Sequence, residues 1–275
     1  MSQPHDPSHY AKTHGNSTAV TQFHSWRTAE NSAPYLLPYL KPDMKILDVG
    51  CGPGSITISL ASHVPQGHIT GVDYAPVPIQ AALALASSTK TPNVTFQTAD
   101  IFSLPFPDAS FDVTHAHQVL QHISEPVRAL KELRRVTKPG GLVACRETDV
   151  QTFIWYPENP ALQRWSFITE SIARRNDCEP RAGRRLKTWA RSAGFKAEDI
   201  KCTAGTWCFS SPEERAYWGG SIVKRFEESH LSASAMEGGF ATKEEIEETV
   251  KALKEWVEDE DGWFGLMHGQ MIAKV

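Results

Sequence analysis

The amino-acid sequence predicts a doubly wound α/β fold: a Rossmann-like sheet with helical insertions that form a lid. Three observations carry this expectation. Between residues 44 and 147 short apolar runs alternate with helix-period segments, several runs end in an acid, and the first leads directly into a glycine-rich turn. In such folds the ligand lies at the carboxyl ends of the strands.

Residues 44–50 (MKILDVG) read as a buried parallel strand with Asp48 near its end, and 55–63 (SITISLASH) as the helix after the turn. A second strand at 68–73 ends in Asp73, an alanine-rich helix covers 77–88, and a third strand at 93–100 ends in Asp100. The fourth strand is 110–116. A helix at 125–137 has Val127, Leu130, Leu133 and Val136 on one face, and a fifth strand at 141–147 follows the turn Pro139-Gly140-Gly141. Beyond 150, helices are expected at 159–176, 181–192, 212–230 and 243–259, with strand-like runs at 195–209 and 263–275. Upstream, 17–39 has helical spacing. The chain thus divides into an N-terminal helical lid segment (1–40), a nucleotide-binding core (41–150), and a half that completes the sheet and carries helical substrate-cap insertions (151–275), all in one structural domain.

Composition narrows the function. With 275 residues, 40% of them hydrophobic, the chain can build a substantial core. A net charge of −4 gives no general attraction to nucleic acid. No apolar run is long enough to span a bilayer, and His5, Asp6, His9, Lys12, His14 and Arg27 occupy positions where a signal peptide needs apolar residues, so a cytoplasmic protein without membrane insertion is expected. Five cysteines (Cys51, Cys145, Cys178, Cys202, Cys208) with no C-x-x-C argue against both a disulfide framework and a zinc site. No carboxylate set suits magnesium, so no metal is expected.

The turn ILDVGCGPGS (46–55) decides the ligand. A dinucleotide fingerprint is G-x-G-x-x-G, whereas Gly50, Gly52 and Gly54 are followed by Ser55. The pattern fails for NAD. It resembles motif I of the class I S-adenosylmethionine-dependent methyltransferases: an apolar strand, Asp48, then Gly-Cys-Gly-Pro-Gly. FDVTHAHQVLQHI (111–123) resembles the same family's fourth-strand segment. The likeness covers about residues 40–150 and is nearest to UbiE-like enzymes of ubiquinone and menaquinone biosynthesis.

That resemblance implies a seven-stranded sheet whose last strand is antiparallel and inserted between the fifth and sixth. It implies S-adenosylmethionine as cofactor and S-adenosylhomocysteine as product. The methionine moiety is expected at Gly50, Cys51, Gly52 and Gly54, the ribose at Asp73 beside Tyr74, and the adenine at Asp100 and Ile101. A carboxylate at the end of the second strand can accept both ribose hydroxyls. Arg27, in a lid segment with Tyr10, His24 and Trp26, is a candidate for the cofactor's carboxylate.

Methyl transfer from a sulfonium demands chiefly alignment, and positioning alone accounts for ~7–11 kcal/mol of barrier lowering. A base is required only where the acceptor carries a proton. Candidates are His117, expected nearest the cofactor, His122, and Glu147 or Asp149 at the fifth strand's end. The last two, with Trp155 and Tyr156, are also candidates for substrate contact. The amine-methylation signature Asn/Asp-Pro-Pro-Tyr is absent, His-Ala-His-Gln standing in its place, which disfavours DNA adenine and glutamine-type acceptors. Basic residues at 174–191 and acids at 244–261 suggest pairing within the chain or across a homodimer; phosphate or RNA recognition by the basic cluster is the alternative. The expected activity is methyl transfer to an oxygen, carbon, nitrogen or sulfur of a small, partly apolar metabolite, quinone-, polyketide- or secondary-metabolite-like. The alternative is a cofactor-binding regulatory or scaffold protein.

Overall fold

A computed structural model describes residues 26–228 and 230–275. Tyr10 and His24 lie outside the described residues. The strands are β1 (Lys45–Val49), β2 (His68–Asp73), β3 (Val94–Thr98), β4 (Phe111–His117), β5 (Thr137–Thr148), β6 (Ile154–Tyr156), β7 (Ile200–Phe209) and β8 (Trp263–Lys274). β3, β2, β1, β4 and β5 are parallel neighbours in that order. β8 runs antiparallel between β5 and β7, as the family resemblance implies. β6 is an additional short strand that shares β5's edge of β8, pairing with residues 263–265 while β5 pairs with 268–274.

The helices are α1 (Ala29–Ser32), α2 (Ser55–Ala61), α3 (Pro76–Thr89), α4 (Pro126–Val136), α5 (Pro160–Arg175), α6 (Leu186–Ser192), α7 (Pro212–Glu228), α8 (Leu231–Glu237) and α9 (Lys243–Glu258). Local sequence explains their starts. Thr242 and Glu245 form a capping box at α9, Asn159 caps α5, and prolines open α3, α4 and α5, where a missing N–H costs nothing.

Strand alternation separates two cores. Leu47, Val49, Ala116, Val143, Cys145 and Met271 face α4 and α6, while Ile46, Val113, Ala144 and Ile272 face α1 and α2. β7 and β8 run on past the pairing with β5, and this ribbon carries a third core of Trp207, Phe209 and Phe264 against Trp165, Trp218 and Trp256 from α5, α7 and α9. That extension anchors α5, α7 and α9 beyond the carboxyl end of β5. Truncating one such buried tryptophan to alanine costs about 3–5 kcal/mol.

Three expectations are corrected here. Within the expected 17–39 helix, the described part is a single α-turn capped by Thr28, followed by a 3-10 turn at Leu37–Tyr39; Pro34 and Pro38 prevent a continuous helix. Trp155 and Tyr156 do not wall a pocket together. Adjacent strand residues point to opposite faces, so Trp155 is buried against Trp165, Trp256 and Phe264, and Tyr156 is exposed. Within the chain the basic stretch does not pair with the acids at 244–261: Arg174 and Arg181 bind Glu170, Arg184 binds Asp149, and Arg185 meets Glu179.

Candidate active site

The glycine turn takes the shape its sequence requires. Gly50, Gly52 and Gly54 have φ of 68°, 54° and 82°, in the left-handed region that side chains resist. A Cβ on Gly50 would stand 2.4 Å from Val119 Cγ2. Asp73, at the end of β2, is tied to the turn: its Oδ2 accepts from Gly52 N at 3.0 Å and its Oδ1 from Ala75 N at 3.0 Å. Burial raises this carboxyl above the usual carboxylate range, against the opposing pull of the Ala75 and Gly52 amides. Its two oxygens keep lone pairs for further donors. Asp48 is committed within the fold, accepting from Thr57 Oγ1 at 2.6 Å and meeting His115 Nδ1 at 2.8 Å.

A small cleft of about 30 Å³ lies against this turn, lined by Gly50, Cys51, Gly52, Pro53 and Ser55 together with Arg27 and His117. The structure therefore brings five predicted site residues, Arg27, Gly50, Cys51, Gly52 and His117, around one space. Gly54 caps α2, with Ala82 and Phe96 packed where its Cβ would be. Burial raises the Cys51 thiol well above its ordinary value, so it is not a thiolate. Tyr74 is half exposed beside Asp73. Asp100 accepts from Phe102 N at 2.9 Å, and Ile101 packs on the neighbouring core.

Beyond the cleft, alternation builds a buried polar row that sequence reasoning missed. His117 is in register with Arg146, and Arg146 with Gln270; Thr148 is in register with His268. Arg27 Nη2 donates to Gln118 Oε1 at 2.8 Å, and Gln118 Nε2 reaches Thr148 Oγ1 at 2.8 Å and His268 Nε2 at 2.9 Å. The Trp207 ring lies 4.6 Å from the Arg146 guanidinium and 5.4 Å from that of Arg27. Burial, reinforced by Arg27 and Arg146, holds the His117 imidazole well below its ordinary value, so it is neutral at pH 7. Burial brings Arg146 down to about 9. The legible signal was the charged Arg146 inside an apolar strand, GLVACRE, where an interior cation needs a reason.

Three acid–base candidates fall away from the cleft. Glu147 is fully buried and accepts from the amides of Val119, Leu120 and Gln121 at 3.1, 2.9 and 3.2 Å, anchoring the loop after β4. Asp149 is buried against Arg184 and caps the 3-10 turn at Val150–Thr152. His122 meets Gln121 Nε2 at 2.9 Å, and burial lowers it to about 3. Backbone anchoring, an ion pair and a turn explain these three without chemistry.

Residues 40–194 match the family model described as a methyltransferase domain. The chain belongs to the class I S-adenosylmethionine-dependent methyltransferases. It is 37% identical over 287 positions to an uncharacterized methyltransferase of Schizosaccharomyces pombe, covering 100% of this chain and 99% of that protein. It is 32% identical to the Aspergillus luteorubrus protein named "Probable methyltransferase ltbC", covering 99% of each. A demethylmenaquinone methyltransferase of Staphylococcus aureus is 38% identical over 119 residues, 43% of this chain and 48% of that protein. The fold is shared with Haemonchus contortus phosphoethanolamine N-methyltransferase 2, with a TM-score of 0.59 at 17% identity over 97% of this chain and 60% of that one.

Proposed function

We propose that the protein transfers a methyl group from S-adenosylmethionine to a small, partly apolar metabolite. The observation that carries this is the joining of the Gly50–Gly54 turn to the Asp73 carboxylate, with Arg27 and His117 facing the same cleft. The residues fit the cofactor. The left-handed glycines shape a side-chain-free turn against the cleft, Asp73 keeps acceptor capacity for ribose hydroxyls, and Arg27 brings a cation to the turn for a carboxylate.

The cofactor supplies an activated methyl on a sulfonium. The chain supplies alignment, exclusion of water and a fixed protonation state. His117, neutral at pH 7, can accept a proton, but its lowered basicity suits an acceptor that ionises readily. Trp26, next to Arg27, packs edge-on against Trp207 and at a tilt against Phe209 and Tyr217, an aromatic cluster beside the site that favours a partly apolar acceptor. The segment bearing Trp26 and Arg27 is held by Trp207 Nε1 on Asn31 O at 2.7 Å and by Ala29 N on Ser59 Oγ at 2.9 Å. We assign it as the lid whose movement admits the ligands.

The test is label transfer. Incubating the chain with methyl-tritiated S-adenosylmethionine and pools of small phenols, quinols, thiols and carboxylic acids should label at least one pool. The D73A variant should label it far more slowly. Equal labelling by both would refute the site assignment.

A further inference from the structure

Arg146 heads the fully buried side chains by volume, at 1% exposure, yet its Nε and Nη1 have no hydrogen-bond partner. Its remaining nitrogen lies 3.0 Å from His268 Nδ1. That contact is compromised. A neutral imidazole offers one acceptor nitrogen, and Gln118 Nε2 already approaches His268 Nε2. His117, the register partner of Arg146 on β4, is 6% exposed and has no partner at either ring nitrogen. No carboxylate among the described residues answers the charge: Asp48 is taken by Thr57 and His115, Glu147 by three amides, and Asp149 by Arg184.

An interior cation without a counter-charge is strongly unfavourable. Water can satisfy the N–H donors but cannot neutralise the guanidinium. The row adjoins the cleft at His117, next to the glycine turn, and an aromatic ring, Trp207, covers Arg146. The unanswered guanidinium asks for an anion, and the apolar surroundings favour one carried on a partly apolar body.

We propose that the methyl acceptor is a small carboxylic acid whose carboxylate is held between Arg146 and His117, fixing the acceptor's orientation toward the glycine turn. This rests on the methyltransferase reading and deepens it. Arg146 is thereby the specificity residue. The carboxylate's charge completes the site, and a neutral isostere leaves the guanidinium unanswered and binds poorly.

The experiment uses the full chain loaded with S-adenosylhomocysteine. Benzoate and its neutral isostere benzamide are titrated separately, followed by calorimetry and by intrinsic tryptophan fluorescence. The expected result is one-to-one binding of benzoate, at least tenfold tighter than benzamide. R146M should lose at least tenfold in benzoate affinity, keep S-adenosylhomocysteine affinity within about twofold, and melt no lower than the parent because the free protein sheds an uncompensated cation. Should R146M fail to fold, R146Q serves the same comparison. Absence of benzoate binding, equal binding of benzamide, or unchanged benzoate affinity in the variant overturns this proposal alone. Failure of S-adenosylhomocysteine to bind the parent chain strikes the methyltransferase reading instead.

Discussion

The amide of Gly52 donates to the Asp73 carboxylate at 3.0 Å, so the end of β2 and the turn after β1 are held as one unit. Replacing Asp73 by alanine removes both this tie and the acceptor proposed for the ribose. Affinity for S-adenosylhomocysteine should fall by more than ~1 kcal/mol, since one hydrogen bond to a charged group contributes ~1.5–3 kcal/mol. Calorimetry reads this directly, and an unaltered affinity would remove Asp73 from the site.

Gly50 tests the turn itself. An alanine there meets a φ of +68° and a Val119 methyl 2.4 Å from its Cβ. Strain and overpacking together should cost about 2–4 kcal/mol of stability in urea denaturation. A loss under ~0.5 kcal/mol would show that the neighbouring loop yields, and that the close approach is not required.

His117 should separate binding from turnover. H117A is expected to slow methyl transfer at least tenfold while leaving cofactor affinity within about twofold, as befits a proton acceptor on the acceptor's side of the cleft. Parent-like rates at all pH values would remove it as a base.

Glu147 gives the fold a pH dependence of unusual sign. Burial, outweighing three amide hydrogen bonds, raises its carboxyl from 4.5 to about 8, so the folded chain keeps a proton that the unfolded chain has lost. Its contribution is fully present below pH 4.5 and falls as pH rises toward 8, at most ~1.4 kcal/mol per unit. E147Q cannot titrate. Denaturation series from pH 5 to 8 should therefore show a flatter profile for the variant than for the parent, and parallel profiles would contradict the assignment.

Much of this molecule is legible in its sequence because short apolar strand runs and glycine turns are local signals. MKILDVGCGPG and HITGVD predict β1, β2 and the turn between β1 and α2 that they frame in the structure. The inserted antiparallel β8 came from family resemblance, since strand order is a long-range property. The polar row was hidden for the same reason. His117, Arg146 and His268 stand far apart in the chain, and only strand register aligns them. Trp155 and Tyr156 mislead because tryptophan serves core and pocket alike, and β6 is too short to announce its alternation. Glu147 and Asp149 sit where a catalytic acid would, yet amides and an arginine that sequence cannot place beside them take their oxygens.

The most direct measurement is isothermal titration calorimetry of the purified chain with S-adenosylmethionine and S-adenosylhomocysteine, with NAD as control. Micromolar one-to-one binding of the first two and none of NAD is the predicted result. NAD binding, or silence toward all three, would contradict the assignment of the Gly50–Gly54 turn and of the function built on it.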